Sequence, residues 1–314
     1  MGVARKQELN FATRWRIYFS ERFPPLQHGT LITAFVIGAM GYSARLQGHA
    51  HFPGVMPILS AIIVTILFFL QLRIFDEFKD FEDDARWRPY RPVPRGIVTL
   101  HSLAWLWIWA VAVQVVLAFL FDQRLLLLLV VIWAYSGLMA VEFFVRDWLK
   151  AHPVAYMVSH MVIVPMIALY ITAYDWLDEG VPDRHIGWLL ALSYFGFSII
   201  EIGRKIRARE DEEEGVETYS ALWGMRNAVA VWLLLMGLAG GLAITASLQI
   251  GTPVATVSYV VLMFGVSLAV GLGFLKQPRP GRGKQFQLLS GLWTVGIYLV
   301  VGVVPWLLNA GASP

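Results

Sequence analysis

No cysteine occurs among the 314 residues, so disulfides, a thiolate nucleophile and a Cys-based zinc site are all excluded. Charge is scarce too. Asp, Glu, Lys and Arg supply 15% of the chain against 57% hydrophobic residues, a balance that excludes an ordinary water-soluble globule. In place of charge the chain carries long apolar runs, each near the roughly 17–25 residues that cross a bilayer as a helix. They fall at about 30–46, 55–75, 101–121, 124–144, 152–174, 186–203, 226–248, 253–275 and 287–308. The expected fold is all-α: a polytopic membrane protein with nine transmembrane helices in one bundle.

Residues 1–28 lack the apolar core of a cleavable signal, although they carry Arg5, Lys6, Arg14, Arg16 and Arg22. They are expected to stay on the mature protein as an interfacial segment ahead of a nine-helix domain at 29–314. Phe11, Trp15, Tyr18 and Phe19 share one rough helical face with arginines beside it, which suits a helix lying in the interface as an anchor, without chemistry. The formal net charge is +3, but its distribution decides the partner. With a cytoplasmic N-terminus, 22 of the 25 Lys and Arg fall on cytoplasmic segments and helix ends, leaving only Arg45, Arg124 and Arg184 outside. That is the positive-inside asymmetry. It argues for a lipid bilayer and against nucleic acid, and the expected location is a bacterial inner membrane with the N-terminus cytoplasmic.

One stretch departs from the apolar pattern, Arg73 to Thr99, RIFDEFKDFEDDARWRPYRPVPRGIVT. If the preceding helix continues, Asp76, Asp80 and Asp84 stand at i, i+4 and i+8 and stack on one face, with Glu77 and Arg73 on or beside it. Acids stacked this way repel and call for a cation between them. Oxygen ligands without histidine or cysteine suit Mg²⁺, which is commonly shared with substrate phosphates. The bland alternative is a solvated juxtamembrane helix. Against it stands the continuation, in which Arg91-Pro92-Val93-Pro94-Arg95-Gly96 cannot be helical and makes a rigid loop able to fold back over the acids.

Asp84, then Pro89, Arg91-Pro92, Pro94, Gly96 and Thr99 resembles the signature of the UbiA superfamily of intramembrane prenyltransferases. That family opens with Asn-Asp, two residues, Asp, three residues, Asp, and Asp76-Glu77, Asp80 and Asp84 stand in those places; both departures keep an oxygen ligand. The resemblance also implies nine helices, a Mg²⁺ cofactor, an isoprenyl diphosphate and a lipophilic or aromatic acceptor. Lys150 becomes a candidate phosphate contact, although by itself it belongs to an ordinary basic loop.

A second charged stretch runs from Glu201 to Thr218, and the order of two apolar helices before each stretch repeats at roughly half the chain. Asp211, Gly215 and Thr218 match the ending of the family's second motif. Its other carboxylate falls on Arg207, and Lys205 stands where some relatives carry Asp. The resemblance therefore carries over Arg204 and Asp211, with Glu201 as the compensating acid and Glu210 and Glu214 as fallbacks.

Asp76, Asp80 and Asp84 are thus the expected catalytic residues. Arg73, Arg91, Lys150, Arg204 and Lys205 are expected to bind diphosphate, and Asp76, Glu77, Asp80, Asp84, Glu201 and Asp211 to hold Mg²⁺. The expected reaction is Mg²⁺-dependent transfer of a prenyl group to an acceptor with release of pyrophosphate. The alternatives are a terpene cyclase of the same superfamily and, from another class, a transporter of an anionic amphiphile. Elsewhere, His49 and His51 are too loosely spaced to argue for a metal. His160 near Pro165 is either functional or satisfied by the carbonyl that the proline frees. Gly237 and Gly241 form a GxxxG suited to close helix contact.

Overall fold

The computed structural model describes residues 9–310, so Arg5 and Lys6 of the basic N-terminal segment lie outside the described residues. Helix is the regular structure throughout them. In chain order the helices are α1 (Phe11–Arg22), α2 (Pro25–Leu46), α3 (Val55–Lys79), α4 (Phe81–Trp87), α5 (Leu100–Phe121), α6 (Leu125–Ala140), α7 (Arg146–Ala151) and α8 (Pro153–Met161). They continue as α9 (Ile163–Trp176), α10 (Ile186–Gly203), α11 (Tyr219–Trp223), α12 (Met225–Gln249), α13 (Pro253–Lys276), α14 (Gly283–Gly302) and α15 (Val304–Ala310).

Eight of the nine expected runs form helices long and apolar enough to cross a membrane: α2, α3, α5, the α8–α9 pair, α10, α12, α13 and α14. The ninth, 124–144, gives only the 16 residues of α6. Its helix stops because Glu142, Phe143 and Phe144 take left-handed backbone conformations with φ of 50°, 52° and 61°. Val116, Phe119 and Leu120 on α5 and Val254, Val261 and Leu262 on α13 point outward, as lipid-facing side chains of a multi-pass membrane protein do.

α2 and α14 approach closely, with Gly38 and Gly41 pressed on Gly302 so tightly that a Cβ on Gly302 would run into the Gly38 carbonyl. The GxxxG of α12 is not such a contact: a Cβ on Gly241 would meet open space, and it is Gly240 that lies against Val260. Inside the bundle small polar groups join helices, as where Trp232 Nε1 donates to Ser290 Oγ at 2.9 Å.

Both charged stretches emerge at one end, tied where the Tyr90 hydroxyl donates to Glu213 Oε2 at 2.7 Å. At the other end Arg124 donates to the Leu177 carbonyl at 2.5 Å and Arg45 lies over the Trp306 ring.

Candidate active site

The long helix α3 delivers the first acids and breaks at Asp80 (φ −95°, ψ 9°) before α4 begins. The backbone ladder survives the break: Asp80 N donates to Asp76 O at 2.9 Å, Asp84 N to Asp80 O at 2.7 Å and Arg88 N to Asp84 O at 2.9 Å. Asp76, Asp80 and Asp84 therefore stay on successive turns, but their surroundings differ. The Asp76 side chain is 42% exposed and meets only Arg73, at 3.2 Å. Asp80 has its carboxyl pushed above the usual range by burial and by Asp76 and Asp84, against the opposing pull of Lys79 and Arg88. Asp84 is buried and gripped by Arg91 at 2.6 Å and Arg88 at 3.2 Å. Glu77 turns elsewhere, onto Arg22 of α1 at 2.5 Å, so its ligand position is filled by an ion pair with the N-terminal helix.

The loop after α4 folds back as its prolines dictate. Ile97 N closes on Pro92 O at 2.9 Å, Gly96 takes φ 72°, and Thr99 with Ser102 forms the capping box that starts α5. The helix α1 straps this loop down: Arg14 donates to the Ile97 carbonyl at 2.5 Å and Arg95 pairs with Glu21 at 2.8 Å. Its role thus exceeds interfacial anchoring.

In the second stretch Glu201 holds Arg204 at 2.5 Å and Lys205 at 2.9 Å. Glu201 is also the chief cause that raises Arg204 above its ordinary value, with Asp76 and Tyr219 acting in the same direction. The Lys205 ammonium lies over the Tyr219 ring, 5.3 Å from its centre. Asp211 accepts from Gly281 N at 2.8 Å. Glu212 accepts from the Thr218 hydroxyl at 2.7 Å, Glu213 pairs with Arg207 at 3.1 Å, and Glu210 and Glu214 are exposed. Lys150 pairs with Asp83 at 3.2 Å, with both side chains about half exposed.

A cluster beside Asp76 carries no motif and was not legible as a site. Lys79 Nζ donates to the Tyr156 hydroxyl at 2.5 Å and lies 3.1 Å from Glu142 Oε1. Glu142 reaches it from the left-handed turn, a conformation that costs roughly 1–3 kcal/mol per non-glycine residue. Burial raises the Glu142 carboxyl, but His160 and Lys79 outweigh that and hold it below its usual range. The His160 ring stacks on Tyr156 with centres 3.9 Å apart, and its Nδ1 lies 2.8 Å from the Tyr156 carbonyl. That carbonyl is one helical turn back and is not the one freed by Pro165.

Among the described residues no group of three or more His, Asp or Glu side chains is assembled closely enough to hold an ion unaided. The donor set still fits Mg²⁺. Asp76 and Asp80 are hard oxygen donors on adjacent turns, and the raised Asp80 carboxyl marks a place short of positive charge.

The UbiA prenyltransferase family model matches residues 30–295. No curated protein matches the sequence. Similar solved structures include a UbiA homolog from Aeropyrum pernix K1 (TM-score 0.65, 15% identity, covering 91% of this chain and 98% of that one). A second concerns a digeranylgeranylglyceryl phosphate synthase in membranes (TM-score 0.60, 16% identity, 92% and 98% covered). A third is a UbiA homolog from Archaeoglobus fulgidus bound to DMAPP and Mg²⁺ (TM-score 0.55, 12% identity, 91% and 99% covered).

Proposed function

The chain belongs to the UbiA prenyltransferase family, and from that premise we propose that it transfers the prenyl group of an isoprenyl diphosphate to a lipophilic or aromatic acceptor at the shared end of the two charged stretches. The observation that carries the reading is the contact that ties the two charged stretches together, the Tyr90 hydroxyl on Glu213 Oε2 at 2.7 Å, which brings the carboxylates of the first stretch and the Glu201–Arg204–Lys205 group of the second to one end of the bundle. Asp76 and Asp80, joined by Asp84, would hold Mg²⁺ there. Bound Mg²⁺ neutralises charge that builds on a leaving pyrophosphate.

Arg73, Arg204 and Lys205 bind the diphosphate, with Arg91 reaching it from the loop after α4 and Lys150 from α7. Charge-assisted contacts of this kind grow stronger as negative charge collects on the leaving group, so they favour ionisation over mere binding. An apolar groove between α2 and α14, lined by Leu26, Thr33, Ile37, Val295 and Leu299, is our candidate path for the prenyl tail. That a homolog binds DMAPP and Mg²⁺ supports the assignment of substrate class and cofactor. We place the N-terminus and both charged stretches in the cytoplasm of a bacterial cell, on the 22-to-3 charge asymmetry.

The test is the reconstituted protein with labelled prenyl diphosphates of several lengths, with Mg²⁺ and with or without aromatic acceptors. Transfer requires a prenylated product and stoichiometric pyrophosphate. A hydrocarbon or alcohol formed without acceptor identifies a cyclase, and label that crosses the membrane without pyrophosphate release identifies a transporter. Reporter fusions at Asp83 and Glu213 should both read cytoplasmic; an external reading at either would break the site apart.

A further inference from the structure

The last three long helices bring a separate group of cations to the end of the bundle where the charged stretches emerge. Arg226 stands at the start of α12, Lys276 at the end of α13, Arg279 in the turn that follows and Lys284 at the start of α14. Elsewhere at this end cations meet carboxylates, as Arg22 meets Glu77, Arg91 meets Asp84 and Arg207 meets Glu213. These four are exposed, and among the described residues none forms an ion pair or a side-chain hydrogen bond. Like charges gathered in this way repel one another and call for an anion.

Their position specifies the anion. On α13 Lys276 ends a stripe of outward-facing side chains, Leu268 and Leu272, at intervals of four residues that fall on one helical face. On α14 Lys284 begins such a stripe with Leu288 and Leu292, and on α12 Arg226 lies two turns from the exposed Leu234. The cations thus continue lipid-facing surface at the level of the headgroups. They are also neighbours. Gly240 meets Val260 and Gly271 meets Val229, a single antiparallel register that brings Arg226 level with Phe274, within one turn of Lys276. The Tyr259 hydroxyl donates to the Leu292 carbonyl at 2.7 Å and holds α14 against α13.

The turn that displays Arg279 is fixed. Pro278 and Pro280 flank it, Arg282 donates to the Gly273 and Gln277 carbonyls at 3.3 and 3.2 Å, and Gly281 N donates to Asp211 Oδ2 at 2.8 Å. Asp211 sets one negative charge against the group and leaves it strongly positive.

We propose that this end of α12, α13 and α14 binds an anionic phospholipid, with the phosphate among Arg226, Lys276, Arg279 and Lys284 and the acyl chains along the leucine stripes. A zwitterionic lipid brings its own cation to the phosphate and forfeits most of the attraction. A soluble phosphate ester has the charge but gains nothing from the stripes.

The experiment is native mass spectrometry of the full chain in detergent, titrated with phosphatidylglycerol and with phosphatidylcholine of the same acyl chains. The parent should bind phosphatidylglycerol at least about tenfold more tightly, a preference that shrinks as salt is raised. The Arg226→Gln/Lys276→Gln/Arg279→Gln/Lys284→Gln variant should bind the two lipids within about twofold of each other. Excess glycerol phosphate should leave the lipid in place. Equal binding of both lipids by the parent overturns the proposal, as does a preference that survives in the fourfold variant. Displacement by glycerol phosphate overturns it too, since the site would then serve a soluble phosphate ester. If the fourfold variant does not fold, Arg226→Gln and Lys276→Gln decide singly: each should lose about fivefold in phosphatidylglycerol affinity with phosphatidylcholine unchanged, and no loss in either overturns the proposal.

Discussion

Arg22 and Glu77, 55 residues apart in sequence, meet at 2.5 Å with side chains only 10% and 1% exposed. The contact joins the N-terminal helix to the acid stretch from below and withdraws one carboxylate from the group that faces the second stretch. It gives α1 a part in fixing the end of α3, along with the Arg14–Ile97 and Arg95–Glu21 contacts that hold the following loop.

Breaking a buried pair by removing one partner leaves a bare charge, at a cost of about 3–5 kcal/mol, whereas replacing both by apolar residues is far milder. Arg22→Met and Glu77→Leu are each expected to lower thermal stability, and the double variant to recover most of the loss. Glu77→Gln should keep its Mg²⁺ requirement. A Glu77→Gln protein that folds normally but needs much more Mg²⁺ would return Glu77 to the ligand set.

Asp76→Asn and Asp80→Asn are expected to abolish Mg²⁺-dependent turnover without unfolding the protein. Removing a charge from the repelling set should leave stability level or raise it, most clearly at Asp80, where burial and its acidic neighbours already disfavour the ionised form. Turnover with and without a chelator, together with unfolding in detergent, checks both points. An active, chelator-insensitive Asp80→Asn protein would refute the assignment.

Gly215 has φ 73° and lies against the Trp87 ring, whereas Gly96 has φ 72° and faces open space. Ala at either position bears the left-handed penalty of roughly 1–2 kcal/mol; only at Gly215 must a tryptophan also move. Gly215→Ala should therefore destabilise the more of the two, and Trp87→Ala should relieve the excess. Equal losses at the two glycines would show that the Trp87 contact yields freely.

Acidification should release the tie between the two charged stretches. The Tyr90 hydroxyl, and after it Arg207, hold the Glu213 carboxyl below its usual range. A carboxyl depressed in the folded state contributes stability that is present above the unfolded value, about 4.3, and is lost as pH falls through the folded one. Tyr90→Phe should thus be less stable than the parent at neutral pH, with the gap closing below about pH 4. A gap independent of pH would mean that the hydroxyl acts on something other than the carboxylate.

The sequence made the bundle legible because apolar length and charge placement act over whole helices, and single residues scarcely alter them. The first acid stretch was legible for a related reason: spacing within one helix converts directly into a shared face. Pairings across the fold were not. Nothing in the local sequence around Glu77 announces Arg22, and Lys79, Glu142 and His160 meet only because the left-handed turn at 142–144 reverses the chain below α6. The same turn shortened the ninth span. Asp211 shows the limit of motif matching, since the match gave its place in the chain while the fold aimed its side chain at Gly281.

That divergence sets the last prediction. Lys205 stands where some relatives carry a carboxylate, and it shares Glu201 with Arg204 while lying over Tyr219. A cation there neutralises pyrophosphate directly, though as a point charge without the bidentate geometry of arginine. Lys205→Ala should slow turnover at saturating Mg²⁺ by roughly ten- to hundredfold, the value of one charge-assisted contact of about 1.5–3 kcal/mol if it is expressed fully in the transition state. Arg204→Ala should fall further, because a guanidinium grips pyrophosphate through two nitrogens where an ammonium acts as a point charge. Asp211→Asn can still accept from Gly281 N through its amide oxygen, so its Mg²⁺ dependence is expected to follow the parent's, with at most a modest loss of stability. Turnover against Mg²⁺ concentration for the three variants separates these cases. A right-shifted Mg²⁺ curve for Asp211→Asn would mean that Asp211 leaves Gly281 to take up metal during turnover. A Lys205→Ala protein that turns over like the parent would reduce the lysine to a determinant of topology, and the charge on that side would then rest on Arg204 alone.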